Sequence, residues 1–328
     1  MNINEIAKLA GVSRATVSRY LNQGYVSPEK KEQIRKVIEE TGYQPSSSAQ
    51  MLRSKRTNYI GVIIPKIDSA SISRMVKGIS EELKEAGYQL LLACTDNHEE
   101  EELKYLNLFK ENHVDGIILL GTIFTKMHQK LLNQLMVPIV ILGQYHENYT
   151  CIYHDDYGAA KALTAKLCKC GNRLGYIGVT EQDEAVGKQR TAGFIDALKE
   201  NHKKNDPTCI MQSQFTIISG YEAAKKLLSS HPELDTLICA TDTIGVGALK
   251  YLQEMGLSIP DTIQLAGFGD SPIAQVTSPT LTTVHFHYKT AGKEATKLLL
   301  EMIRDKNESI QKQIKLGFEI IENPSTRL

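Results

Sequence analysis

Two different rhythms of apolar and polar residues divide the chain. Up to residue 57, apolar positions recur at helical spacing in short segments. Residues 3–10 read as a short amphipathic helix with Ile6 and Leu9 facing inward, and Gly11 ends it and permits a tight turn. Ser13 then stands as the N-cap of a second helix over 14–21, with Val17 and Leu21 on its inner face. A third helix over 27–41 has Ser27 at its N-cap, Pro28 in its first turn, and Ile34, Val37 and Ile38 to complete a small core. Beyond residue 58 the rhythm changes to apolar runs of strand length at 59–65, 89–94, 116–120, 139–143, 174–179, 237–240 and 263–268. Between most of them lie amphipathic stretches of helix length. Met75, Ile79 and Leu83 share one face, as do Ala223, Leu227 and Leu228, and Val246, Leu249 and Leu252.

Two helices joined by a short Gly-containing turn predict a helix-turn-helix, so the first part is an all-α helix-turn-helix head. Its second helix presents Arg14, Ala15, Thr16, Ser18 and Arg19 on the outer face. Arginine pairs with guanine edges, hydroxyls with bases or phosphates, and an alanine methyl with thymine. Strand–helix alternation in the remainder predicts an α/β body of parallel sheets covered by helices on both faces. That body is long for one sheet, which predicts two similar lobes. Ligands of open α/β sheets sit beyond the carboxyl ends of the strands, so two facing lobes make an interlobe cleft.

Charge sharpens the division. The chain has 328 residues with 38 basic and 38 acidic groups, yet residues 1–57 hold ten Lys/Arg against five Glu, a net of +5. The remainder therefore carries −5. A basic head on an acidic body suits a nucleic-acid binder with a separate regulatory domain. No stretch approaches the roughly 18 apolar residues of a membrane span and no targeting segment is visible, which predicts a cytoplasmic protein without membrane contact. The six cysteines are scattered, and Cys168-Lys-Cys170 matches neither a redox nor a zinc pattern, so they read as reduced structural thiols. The acidic run 99–102 reads as the solvated opening of a helix, where negative charge suits the helix dipole. His154, His285 and His287 read as packing or hydrogen-bonding residues. With no Gly-rich phosphate loop, nucleophile elbow or metal-ligand spacing, no enzyme, metal or cofactor is expected.

The run Ile6-Ala7-Lys8-Leu9-Ala10-Gly11-Val12-Ser13-Arg14-Ala15-Thr16-Val17-Ser18-Arg19-Tyr20-Leu21-Asn22 closely resembles the head of the lactose/galactose-repressor family of bacterial transcription regulators. Val26-Ser27-Pro28 and Gly42-Tyr43-Gln44-Pro45 fall where that family has further signatures. In the body, Ile60-Gly61-Val62-Ile63-Ile64-Pro65, Val114-Asp115-Gly116-Ile117-Ile118-Leu119, residues 260–268 and Pro279-Thr280-Leu281-Thr282-Thr283-Val284 resemble the family's effector domain, whose fold is that of periplasmic sugar-binding proteins. The resemblance implies lobe crossings near 156–158, near 285–287 and after 307. The implied domains are a head at 1–45, a hinge at 46–57, an N-terminal lobe of 58–157 plus about 286–308, and a C-terminal lobe of 158–285 plus about 309–328.

Site residues follow from the same resemblance. Ser13, Arg14, Ala15, Thr16, Ser18, Arg19, Asn22 and Tyr43 fall on the DNA-contacting head, with Arg14 and Ala15 at the operator-discriminating positions. Ala49 and Leu52 fall on the family's hinge helix, where a leucine wedges into the minor groove. Ser46 departs from the asparagine usual there. Arg190 matches the arginine that grips ligand hydroxyls, and its planar fork suits vicinal hydroxyls. Thr241, Asp242, Asp270 and Phe286 fall at further effector positions, and Asp155 with Asp156 where the family has cleft-lining acids. Gly269 departs from the acid the family more often has there. Ser71, in the small polar stretch 68–73, and Gln144 are polar candidates. The implied function is a homodimeric repressor of a carbohydrate-utilisation operon, released from double-stranded operator DNA by a mono- or disaccharide. A purine-like co-repressor or a phosphorylated carrier-protein partner remains an alternative.

Overall fold

The structure, a computed structural model, describes residues 1–22, 24–43, 56–112, 114–121, 123–305 and 311–328. The hinge positions Ala49 and Leu52 lie outside the described residues. The chain divides into two units, Met1–Thr57 and Asn58–Leu328.

The first unit contains α1 (Ile3–Leu9), α2 (Arg14–Leu21) and α3 (Pro28–Thr41). The Asn2 side chain accepts from the Glu5 backbone while Glu5 reaches back to the Asn2 N–H, a capping box that starts α1. Gly11 sits at φ +61°, the left-handed conformation the turn before α2 requires, and Gly42 ends α3 at φ +62°. Ile6, Ala7, Ala10, Val17 and Ile34 form the core, with Leu21, Val37 and Ile38 packed against it. Leu9 is not inward-facing; it is 59% exposed. At roughly 100° per residue, Ile6, Ala7 and Ala10 centre the buried face on the side of Ile6 away from Leu9. Ser27 occupies the N-cap of α3 without a side-chain cap bond, so Pro28 at the first position is what favours the start.

The second unit is built on two parallel sheets. The first has the order β11-β5-β4-β3-β1-β2, with β1 (Tyr59–Ile64), β2 (Gln89–Cys94), β3 (Gly116–Leu119), β4 (Ile139–Leu142), β5 (Thr150–His154) and β11 (Gln313–Leu316). The second has the order β7-β6-β8-β9, with β6 (Leu174–Gly178), β7 (Ile210–Gln212), β8 (Thr236–Cys239) and β9 (Gln264–Ala266). β3, β4, β6 and β8 are buried along their whole length, as strands covered on both faces must be. The chain leaves the first sheet after β5 and enters α7 (Asp156–Leu167), which packs on α8 (Arg190–Glu200). After α9 (Ile217–Ser230), α10 (Asp242–Glu254) and α11 (Pro272–Gln275), it returns through β10 (Thr283–Phe286) into α12 (Tyr288–Arg304), which packs on α4 (Ala70–Glu85). The last crossing lies at Gly317, between β11 and β12 (Phe318–Ile321), rather than after residue 307. β11 pairs parallel to β5 and so keeps residues 313–316 in the N-terminal lobe, and β12 pairs antiparallel to β10.

The acidic run opens α5 (Glu99–Glu111), but Glu102 is buried rather than solvated. Its carboxylate lies 3.2 Å from the buried His128 imidazole on α6 (Lys126–Leu132). All six cysteines are free thiols.

Helices α4 and α12 approach each other closely where glycine permits it. A Cβ on Gly78 of α4 would stand 2.1 Å from the Lys289 carbonyl oxygen, and one on Gly292 of α12 would stand 2.0 Å from that of Met75. Neither backbone can yield without moving its helix. Gly292→Ala therefore lowers unfolding stability by about 1–3 kcal/mol or more through overpacking. Gly317→Ala, whose new methyl meets nothing within 4 Å, changes it little. Urea titration of both variants tests this, and equal midpoints would refute the close-approach account.

Candidate functional site

The head offers one exposed face. The Ser13 hydroxyl accepts from the Thr16 backbone N–H at 3.2 Å and lies 2.9 Å from the Thr16 hydroxyl, which fixes the first turn of α2. Arg14, Ala15, Arg19 and Asn22 are exposed along that helix, and Thr16 and Ser18 are half-buried beside them. Asn22 folds back so that its amide donates to the Ser18 carbonyl. Tyr43 is half-buried against the head core, so its ring has a packing role whatever else it contacts.

In the second unit a cavity of about 560 Å³ lies between the lobes, where residues just past β1, β3, β4, β8 and β9 converge. This is the carboxyl end of each strand, where side chains leave the sheet and backbone groups are open to a ligand. Ile72, Val186, Phe215, Ile217, Ile218 and Phe268 supply apolar wall. Of the expected ligand residues, Ser71, Gln144, Arg190, Thr241 and Asp242 line it.

Arg190 is the most constrained of these. Asp183 at the end of the preceding loop accepts from Val186 N–H at 2.8 Å and starts a π-helical turn, Glu184–Gln189, that runs directly into α8. Arg190 is the first residue of α8 and Asp156 the first of α7. The guanidinium Nε and Nη2 reach one Asp156 carboxylate oxygen at 2.8 and 2.7 Å, and Nη1 donates to the Ala240 carbonyl at 2.6 Å. Its carbon sits 5.0 Å from the Phe268 ring centroid and 4.9 Å from that of Phe286. Burial pushes the Asp156 carboxyl above its usual range, and the Arg190 charge works in the opposite direction. Burial also opposes the charge on Arg190, yet Asp156 more than offsets it and the guanidinium stays ionised.

Thr241 caps α10 (Asp242–Glu254), accepting from the Ile244 N–H at 3.3 Å, and so places Asp242 at the first turn. One Asp242 oxygen accepts from the Ser271 N–H at 2.7 Å and the other from the Thr283 hydroxyl at 2.5 Å. Burial pushes this carboxyl up as well. Gln144 donates to the Gly121 carbonyl, and Ser71 pairs with the Ser69 hydroxyl at 2.9 Å.

Three expected ligand residues stand apart from the lining. Asp155 caps α7 through the Gly158 N–H at 3.2 Å and faces Lys315 at 3.4 Å, while its neighbour Asp156 is the acid that reaches the cavity. One step along a helix start turns a side chain by about 100°, enough to separate the two. Asp270 bonds His285 at 2.8 Å and Gln275 at 3.0 Å, at a backbone φ of +44° that turns it from the lining. Phe286 is fully buried and touches Arg190 instead of the cavity.

Several lining residues escaped the sequence reading. Arg74 on α4 donates to the Asp270 carbonyl at 3.2 Å and to the Gly269 carbonyl, and its guanidinium stacks 4.9 Å from the Tyr288 ring. It thus ties the N-terminal lobe to the loop after β9 at the edge of the cavity. Its partners are backbone carbonyls 195 and 196 residues away, which leave no mark in a sequence motif. Asp183, His154 and Asn97 also line the site. His154 is buried against Phe286 and Tyr288, with ring centroids 5.2 and 5.0 Å away. Burial, reinforced by the Arg190 charge, pushes its imidazole down to about 3.

Residues 2–46 match the model described as "Bacterial regulatory proteins, lacI family", and residues 57–320 match "Periplasmic binding proteins and sugar binding domain of LacI family". The chain is 35% identical over 319 residues to the sucrose operon repressor of Staphylococcus xylosus, covering 97% of this chain and 98% of that protein. A solved complex of the transcriptional regulator CelR with cellobiose superposes with a TM-score of 0.77 at 26% identity, covering 99% of each chain. The lac repressor dimer bound to operator and the anti-inducer ONPF superposes with a TM-score of 0.91 at 19% identity, again over 99% of each chain, and shows the fold alone.

The site carries two consequences for stability. Arg190→Ala leaves Asp156 as an uncompensated buried acid and lowers unfolding stability by about 3–5 kcal/mol, measurable by urea titration; a loss below about 1 kcal/mol would mean the pair is not buried as described. The second concerns pH. The unfolded chain takes up a proton at His154 near 6.5, whereas the folded chain does so only near 3. Between those values the unfolded state binds more protons, so the His154 contribution falls as pH falls, by about 2 kcal/mol from pH 7 to pH 5. His154→Phe removes that part of the pH dependence, which urea midpoints at the two pH values would reveal.

Proposed function

Because this chain belongs to the LacI family of bacterial regulatory proteins, we propose that it represses a carbohydrate-utilisation operon as a homodimer and leaves its operator when a mono- or disaccharide fills the cavity. The observation that carries the sugar reading is the chemistry around Arg190. Of its five N–H groups, Asp156 and Ala240 take one from each of the three nitrogens and the Tyr288 hydroxyl meets a further one, so the fork faces the cavity already fixed in orientation. A rigid donor fork of this kind suits vicinal hydroxyls. Hydroxyl and amide groups of Ser71, Thr241, Gln144 and Asn97 share the lining with apolar side chains, and the volume falls within the range of roughly 300–1,000 Å³ usual for small-molecule sites.

In the head, Arg14 and Arg19 supply charge and guanine-reading capacity, and Ala15 a methyl contact to thymine. A homodimer presents two such heads to a two-fold operator, with Ala49 and Leu52 of the hinge entering the minor groove between them. β2 is the edge strand of the first sheet and leaves Leu91 and Leu92 37% and 41% exposed, an apolar edge that a second copy would cover. Ligand-driven movement of one lobe against the other would reach the heads through residues 46–57.

Anisotropy titration of the full-length chain against a selected palindromic operator tests the reading. Sucrose, cellobiose or trehalose should weaken operator binding by about 5–150-fold. Tighter binding in their presence, or no effect from any saccharide, would refute it. Arg14→Ala should weaken specific binding by about 5–150-fold, the worth of one bidentate base contact. The double variant Leu91→Lys, Leu92→Lys should sediment as a monomer with reduced operator affinity; a stable dimer would place the contact elsewhere.

A further inference from the structure

We infer that His154 is a specificity-determining residue of the cavity, whose bare Nε2 accepts a hydrogen bond from a hydroxyl of the bound ligand. The inference rests on the reading of the cavity as a saccharide site and adds the polarity of one contact within it. His154 ends β5 at the first lobe crossing, lines the cavity and is 5% exposed. Among the described residues, its Nε2 is a buried nitrogen without a hydrogen-bond partner.

The direction of the missing bond follows from the ring's state. Burial beside Arg190 keeps the imidazole neutral, so one nitrogen carries a proton and the other a lone pair. The ring also bonds the His287 backbone, in the sense that favours proton uptake, so the partner is a carbonyl accepting from a ring N–H. That N–H belongs to Nδ1, because Nε2 has no partner. Nε2 is therefore an acceptor held between aromatic neighbours, and a buried acceptor left unpaired is unfavourable.

A ligand group that meets it must donate. A hydroxyl does so, and it can also accept from a cation such as Arg190. A carboxylate or fully ionised phosphate offers only acceptors and would leave Nε2 unpaired. The contact therefore selects a neutral polyol group at this point of the cavity. It also selects against an analogue whose hydroxyl there is removed or replaced by fluorine, because a site built around a hydrogen bond rejects ligands that lack it.

Calorimetric titration of the full-length chain with sucrose, cellobiose and trehalose provides the test, on wild type, His154→Phe and His154→Gln. Phenylalanine keeps a ring against Phe286 and Tyr288 but has no acceptor, and glutamine restores one. The saccharide that binds wild type should bind His154→Phe about 10–100-fold more weakly and His154→Gln with part of the loss recovered. Thermal melts without ligand report whether each variant folds. Nitrogen-15 spectra of the wild-type imidazole give a reading that needs no variant. Before ligand, His154 should show the Nδ1–H tautomer, and the saccharide should shift the Nε2 resonance. Equal affinity of wild type and a folded His154→Phe, an Nε2–H tautomer, or an unmoved resonance in the complex would overturn the inference and leave the saccharide reading standing. Failure of every saccharide to bind wild type would remove the saccharide reading and this inference with it.

Discussion

The ion pair between Asp156 and Arg190 is the constraint around which the C-terminal lobe's side of the cavity is arranged. Neither charge reaches water, and each is tolerable only because the other is present. The pair joins the first residues of α7 and α8, and the bond from Arg190 to Ala240 adds the end of β8. Phe268 and Phe286 close over the guanidinium from elements that follow β9 and end β10. One side chain thus fixes the spacing of four segments that are remote in sequence. A hydrophobic substitute could fill the volume, but it could not present a fixed donor fork to a ligand.

On the other side of the cavity stands the N-terminal lobe, where Arg74 bonds the loop at 269–270. Gly269 at φ +131° and Asp270 at φ +44° turn two successive carbonyls toward one guanidinium, and Asp270 is held in turn by His285 on β10. β10 is one of the three strands at the crossings, so the latch and the crossover share a residue. A ligand that contacts both lobes acts on the same degree of freedom as this latch. That is the physical route by which occupation of a cavity can bias the position of a lobe.

Unbroken apolar runs are what made strands legible in sequence: β2 (Gln-Leu-Leu-Leu-Ala-Cys) was read at 89–94 although it is a partly exposed edge strand, and β5 (Thr-Cys-Ile-Tyr-His) was missed although it is nearly all buried. β1, β3, β4, β6 and β8 are covered on both faces and read as unbroken apolar runs. β11 (Gln-Ile-Lys-Leu) alternates because it is an edge strand with half its side chains exposed, and β7 is only three residues long. β12 pairs only with β10 and is half-exposed, so it too lacks an apolar run. In the head, Ile6 with the two alanines Ala7 and Ala10 forms the buried face of α1, which displaced Leu9 from its expected place. At the site, Arg190, Asp242 and Thr241 were named from the family resemblance; Thr241 and Asp242 cap and open a helix just past β8, whereas Arg190 opens its helix directly after a π-helical turn. Arg74 and His154 were not named as ligand residues, since their surroundings are backbone carbonyls and aromatic rings brought together only by the crossings. Asp155 and Asp156 show the limit most sharply: adjacent acids, one capping a helix and one buried under an arginine.

If cavity and operator draw on one conformational equilibrium, as proposed, linkage makes their coupling reciprocal. The most direct measurement is the affinity of the chain for its saccharide, determined by titration calorimetry once on the free protein and once on the protein saturated with operator. Operator should lower saccharide affinity by the same factor by which the saccharide lowers operator affinity. Equal saccharide affinities in the two titrations would contradict it.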